Sequence, residues 1–432
     1  MPSHTTARAP ARARAGLAII AFAATLASAA SPTAADPSLD GVRAAVRESW
    51  ARHPAAEASE QALAAAEARA LAAARPLYNP DLELAADDEG PEQTITGGLA
   101  LTLDLSGKRR ARADAGQADL ALAEAEWALR RSGFAHQWLE AWVGHGIAIE
   151  RSRIGDQRVE LLEHFAALAE RQHEVGDISS LERDLALLAR DEARAEQASL
   201  LADVATAEEA LRAMGGTPAT AMGLPRALDP PPAMPVSSWD VRGVPEGRVA
   251  AAASASATRR IAIAERERRP DPTISLYGGR KDLGAGAGND GVVGLAVSIP
   301  LFLRNDFRAE LVAARADSAA TAAEERRIEL ELKARAARVV ATYESVRTAW
   351  SRWSQSPATD VSARAAMLDR LWRAGEISTS DHLVQLNQSL ETALAAADLR
   401  GRLWRSYFDA LYATGQLESW VGFPRRDSEV TP

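Results

Sequence analysis

Between Gly107 and Val175 the chain runs without a single proline. Continuous helix over that stretch would reach about 100 Å at 1.5 Å per residue, and such a rod cannot fold into a compact lump. Its apolar positions recur in threes and fours, as at Leu161, Phe165, Leu168 and then Val175. Leu383, Leu386, Leu390 and Leu394 do the same, followed by Ala397, Gly401, Trp404, Phe408 and Leu411. That spacing is coiled-coil-like, and its small members let neighbouring helices approach closely. Aromatic residues are only 5% of the chain against a hydrophobic fraction of 47%, so most apolar side chains are small. Long helices laid side by side suit this composition better than one thick core.

Just before the rod, "GLALTLDLSGKRRARADAG" (Gly98 to Gly116) alternates apolar with small or polar residues and then turns helical. "GLAVSIPLFLRNDFRAELVAARAD" from Gly294 repeats the switch. "EVGDISSLERDLALL" from Glu174 likewise matches "RAGEISTSDHLVQL" from Arg373, placing Gly176 over Gly375. The offset is near 200 residues in both comparisons, so the whole half is duplicated. Each half reads as helix, strand, loop, strand, very long helix, turn and long helix. Strands are expected near Asp81–Ala86, Ile95–Leu105, Asp271–Gly279 and Val292–Leu301. The fold class is mainly α with a small β part.

Five segments follow from this plan. Residues 1–29 read as an export signal: Arg8, Arg12 and Arg14 precede the short apolar run "GLAIIAFAATLA" and a small-residue cleavage site. Residues 30–216 form the first repeat and 246–416 the second. Residues 217–245, with seven prolines, form a linker laid along the outside, and 417–432 a C-terminal tail. Gly176 and Gly375 should end their helices in the left-handed conformation, with Asp177 and Glu376 starting the next ones.

Several function classes are excluded. With 50 basic and 59 acidic residues the net charge is −9, which argues against nucleic-acid binding. The absence of cysteine rules out disulfides, thiolate metal sites and an acylated N-terminal Cys. No segment after the signal has 18 uninterrupted apolar residues, so no transmembrane helix is expected. "GAGNDG" (Gly286 to Gly291) is followed by strand rather than helix, and "SGKRR" lacks the first glycine of a phosphate loop. No nucleophile triad or carboxylate pair stands out, so neither an enzyme nor a cofactor is expected. His136 and His145, like His164 and His173, are nine apart and face opposite ways on a helix. Only His382, beside Asp381, invites attention as a ligand, and no metal site is expected.

Leu99, Leu101, Leu103 and Leu105 share one strand face, and Leu295, Val297, Ile299 and Leu301 repeat it. Four strands cannot close a barrel, and an open edge in a bilayer leaves backbone groups unpaired at several kcal/mol each. Several chains each donating four strands would solve this, the apolar face towards lipid and the mixed face towards water. Two amphipathic hairpins on a soluble helical bundle are the plainer alternative. Lys108, Arg109, Arg110 and Arg112, with Arg304 and Arg308 in the second half, are expected at headgroup level, where long side chains reach anionic groups. A solvated helix start is the alternative there.

These residues, in this order and duplicated, resemble the TolC-like outer-membrane efflux proteins from about Leu39 to Phe423. "GKRRAR" and "IPLFLRND" lean towards their heavy-metal (CzcC-like) branch, and Pro357 stands where that family has a proline before the last hairpin. The resemblance implies a homotrimer with a twelve-stranded barrel in the outer membrane of a Gram-negative bacterium. Below it a helical barrel would reach into the periplasm. Its partners would be outer-membrane lipid, a periplasmic adaptor and an inner-membrane RND pump. The hairpin tips Val175, Gly176, Asp177, Ala374, Gly375 and Glu376 would meet the adaptor. Asp381, with Glu182 as its first-half counterpart, would ring the closed mouth. Val384 replaces the relatives' second acid. The alternatives are a drug-efflux or type I secretion duct and, from another class, a periplasmic coiled-coil adaptor or scaffold.

Overall fold

Hydrophobic period and capping residues divide the chain as the duplication requires. The computed structural model of the protein describes residues 39–90, 92–217, 231, 234, 240–283, 288–355 and 361–424. The expected export signal, Pro357, most of the proline-rich linker and the end of the tail lie outside these residues.

The first half opens with α1 (Leu39–Arg52) and α2 (Pro54–Ala73), then β1 (Asp81–Glu89) and β2 (Glu92–Thr102). Helix α3 (Lys108–Glu174) runs 67 residues without interruption, and α4 (Ser180–Ala213) returns. The second half has α5 (Pro245–Glu267), β3 (Thr273–Asp282), β4 (Asn289–Ser298) and α6 (Arg308–Ser354). There the rod comes in two pieces, α6 and α7 (Val361–Arg373), before α8 (Thr379–Ala413) and the short α9 (Leu417–Val421).

Three expectations need correcting. The second strands stop at Thr102 and Ser298; Leu103 N–H still donates to the Pro272 carbonyl at 2.9 Å, whereas Leu105, Ile299 and Leu301 lie beyond the ladder. Asp104 has another task at that point, described below, and Pro300 has no N–H to continue the pairing. The linker does not stay outside throughout: Val241–Gly243 is a 3-10 turn, Val241 and Val244 are buried, and α5 already starts at Pro245. Nor is 417–432 simply a tail, because Leu417 and Val421 of α9 are fully buried.

Among the described residues two large cores hold the helices, and a small third one joins Val241 and Val244 to Leu332 of α6. One gathers Trp138, Trp142, Tyr343, Trp404 and Phe408 where α3, α6 and α8 meet. The other lies near the α3–α4 and α7–α8 turns and combines Leu162, Phe165, Trp372 and Leu386 with Ala166, Ala169, Ala186 and Ala193. Alanines on facing helices permit the close approach that the composition implied. The Leu383-to-Leu411 stripe is inward-facing, whereas Val175 leaves its stripe and is exposed at the helix end.

The four strands form one antiparallel sheet in the order β1-β2-β3-β4. Its register lines up Leu82, Leu99, Leu276 and Leu295 in a single row across all four strands. A second row joins Leu101, Ile274 and Val297. Gly98 and Gly294, which open the duplicated motif, flank Tyr277 from β2 and β4. A Cβ at either would collide with Tyr277, so the two glycines make room for that ring.

Candidate functional site: sheet, junctions and hairpin tips

In the leucine row every member is exposed, from 60% for Leu99 and Leu276 to 70% for Leu82. Four large apolar side chains turned outward on one face cost hydrophobic free energy in water, about 1.5–3 kcal/mol each relative to burial. The opposite face carries small and polar groups, including Thr102 and Thr273, whose hydroxyls meet at 2.8 Å. Nearer the hairpin loops, Lys281 pairs with Glu92 at 2.6 Å. β1 and β4 are each hydrogen-bonded on one side only, so both edges of the sheet are open. At 9 to 11 residues each, the strands have the length of bilayer-crossing strands. No helix among the described residues is long and apolar enough to cross a membrane.

Where β2 hands over to α3, Asp104 accepts hydrogen bonds from the backbone N–H groups of Lys108 and Arg109, both at 2.8 Å. Burial opposes its charge, but the N–H groups of Arg109, Lys108 and Gly107 outweigh that and hold the carboxyl below its usual value. This carboxylate at the helix start offsets the basic cluster's conflict with the dipole.

The cluster itself divides. Lys108 turns inward and pairs with Asp271 at 2.8 Å, both side chains largely buried, which removes it from the expected headgroup belt. Tyr78 donates to the same carboxylate at 2.9 Å. Arg109 and Arg110 are exposed, with Arg109 Nε also donating to the Ala74 carbonyl. Arg112 is half-buried in a groove between α2 and α3. In the second half Arg304 and Arg308 are exposed, and Arg308 pairs with Asp306 at 2.7 Å.

At the first tip, Gly176 has φ +87° and its N–H donates to the His173 carbonyl, while that of Asp177 reaches the Gln172 carbonyl at 2.8 Å. Gly375 has φ +72°, and the N–H of Glu376 reaches the Leu371 carbonyl at 2.9 Å. Both are Schellman caps, in which a left-handed residue lets two backbone donors satisfy the last carbonyls. Nothing approaches either glycine within 4 Å, so backbone conformation alone asks for it. Val175, Asp177, Ala374 and Glu376 are all exposed.

Asp177 and Glu376 do not start the following helices. Ser179 and Ser378 do, each accepting from the backbone N–H three residues on, of Glu182 and of Asp381. Those acids, the candidate constriction, fold back on the caps: Glu182 accepts from the Ser179 N–H and hydroxyl, and Asp381 from the Ser378 hydroxyl. The Ser179 N–H and hydroxyl, with a smaller contribution from Thr379, hold the Glu182 carboxyl below its usual value. Asp381 and Val384 are exposed, and Glu182 is half-buried.

His382 is a core residue. Its ring lies flat on Phe165 at 4.5 Å and beside Trp372 at 5.7 Å, and burial pushes its pKa down. His173 ties the first tip together through its Nδ1, 3.1 Å from the Ile178 carbonyl.

The sheet between two long helical hairpins is shared with solved proteins. VceC, an outer-membrane protein of Vibrio cholerae, aligns with a TM-score of 0.68 at 19% identity, over 88% of this chain and 99% of VceC. The fold is that of a TolC-like outer-membrane channel. The CmeC outer-membrane channel of Campylobacter jejuni aligns similarly, with a TM-score of 0.70 at 12% identity over 87% of this chain and 86% of CmeC. By sequence, the chain is 30% identical over 237 residues to the cobalt-zinc-cadmium resistance protein CzcC of Cupriavidus metallidurans. That match covers 54% of this chain and 56% of CzcC, so the chain spans a little over half the length of that relative. No protein-family model matches the chain. The resemblance first carried by the repeated motifs is thus met by sequence in CzcC and by fold in VceC and CmeC.

Proposed function

We propose that this chain is one subunit of a homotrimeric outer-membrane channel, the passive exit duct of a tripartite efflux system. Three copies of the four-stranded sheet make a closed barrel of twelve strands, the leucine rows against lipid. The long helices continue the duct into the periplasm. There the exposed tips at Val175–Asp177 and Ala374–Glu376 meet a periplasmic adaptor that links the channel to an inner-membrane RND pump. Asp177 and Glu376 ask for an adaptor with complementary charge. Asp381, repeated three times, would present carboxylates at the mouth, the usual device for favouring cations in a pore.

One observation carries this reading: a sheet with two open edges and an apolar face whose leucines are 60–70% exposed. Unpaired strand edges and exposed leucines are unfavourable in water, and edge-to-edge closure inside a bilayer satisfies both at once. The likeness to CzcC, named for cobalt, zinc and cadmium resistance, supports heavy-metal cations as the cargo.

Cell fractionation followed by native mass analysis in detergent tests the assembly. The expected result is an outer-membrane particle of three chains; a lone water-soluble chain would overturn it. A strain lacking the protein should lose resistance to zinc, cobalt, cadmium, copper or silver. Loss confined to detergents and dyes would reassign the cargo to drugs.

A further inference from the structure

We infer that His136, Glu140 and Asp409 form a binding site for a borderline divalent cation such as Zn²⁺, Co²⁺ or Ni²⁺. His136 and Glu140 lie one turn apart on the same face of α3, and Asp409 faces them from α8. One ligand atom from each lies within 4.8 Å of the other two. His136 Nε2 is 2.7 Å from Asp409 Oδ1, and its Nδ1 is 3.9 Å from Glu140 Oε2. The imidazole is stacked on Tyr412 at 4.7 Å and 28°, so its ring is held in a fixed plane between the carboxylates.

A histidine–aspartate hydrogen bond alone would explain two of these residues. It does not use Glu140, which lies 3.9 Å from the other ring nitrogen. Among the described residues, neither Glu140 nor Asp409 makes a salt bridge to Arg or Lys, and His136 is the one basic partner of both. Two carboxylates and one imidazole nitrogen supply the donor set that a divalent ion takes up. With side-chain exposures of 17%, 48% and 40%, the three residues can be reached from solvent.

One nitrogen and two oxygens select zinc-like ions over Cu(I), which prefers sulfur, and over calcium, which needs six or more oxygens. Three protein ligands leave coordination positions for water, the arrangement of an exchanging site rather than a closed structural one. The inference does not depend on the channel reading, since it requires only α3 and α8 in their observed packing.

Titration of the full-length, untagged protein in detergent with Co²⁺, followed by visible absorption and competed with Zn²⁺, tests the site. The native chain should take up one Co²⁺ with a saturable band that Zn²⁺ displaces. His136→Ala should abolish the band. Glu140→Gln, half-exposed and outside the core, should weaken binding at least about tenfold while leaving helical circular dichroism unchanged. A native spectrum no different from aqueous Co²⁺ would overturn the inference, as would a Glu140→Gln titration identical to the native one.

Discussion

The two halves of this chain solve the same strand-to-helix junction differently. In the first, Asp104 caps α3 and Lys108 is sealed against Asp271, a residue from the second half. In the second, Asp306 accepts from the Arg308 N–H and pairs with its guanidinium in the open. Both junctions require a left-handed residue at the helix start. The first uses Gly107 at φ +75°, while the second holds Phe307 at φ +55°, its ring against Phe302 at 5.0 Å. A bulky residue there costs about 1–2 kcal/mol in backbone strain. The lesson is positional: the first junction is sealed by a buried ion pair from the other half, whereas the second is exposed and held by its own half, with Arg268 Nε donating to the Asp306 carbonyl at 3.3 Å.

The largest expected contrast is between the two junction cations. Lys108→Ala leaves the buried Asp271 with hydroxyl donors from Tyr78 and Ser106 but no cation, and should cost about 3 kcal/mol in denaturant unfolding followed by helical circular dichroism. Arg308→Ala, its exposed counterpart, should cost no more than about 1 kcal/mol. Equal losses would show that both junctions are covered alike.

At the tips the halves should agree. Gly176→Ala and Gly375→Ala each put a side chain into a left-handed position without any steric clash, for about 1–2 kcal/mol of local stability. Hydrogen exchange in the last turns of α3 and α7 reads this, and a difference between the two would break the equivalence of the hairpins.

The caps should separate the halves again, by less. Ser179 is bonded in both directions with Glu182, whereas the shorter Asp381 reaches only the Ser378 hydroxyl. Ser179→Ala should therefore cost about 1–2 kcal/mol and Ser378→Ala nearer 0.5 kcal/mol, measured by the same exchange experiment. The smallest effect is on pH. The Glu182 carboxyl is held below its usual 4.5, so its contribution is complete above that value and is lost as pH falls through the lower folded value. An acid titration of exchange at the first tip should show this loss, and Glu182→Gln should remove the pH dependence.

Much of the plan is legible in the residues because it is local or repeated. The strand faces follow from alternation, and the tip glycines from the point where a helical period stops. The capping serines were equally visible, since "SSLE" from Ser179 is a capping-box pattern. The acids directly after the glycines also suit a helix N-terminus, and they lie two residues ahead of the true caps, Ser179 and Ser378. Asp271 was not legible as the partner of Lys108, because 163 positions separate them and only the β2–β3 pairing brings them together. His136 shows the limit of reasoning along one helix. Its distance to His145 was uninformative, while Glu140 one turn on was in view and Asp409 arrives from another helix.

The sheet's two raw margins also bear on how such a subunit is made. A solitary copy in water would present greasy outward leucines and hungry backbone at once, a recipe for wrong pairings between copies. Insertion and trimer closure should then happen as one event, with no long-lived single subunit in between. Cells in which assembly is slowed should accumulate clumped or digested chains, not free monomers.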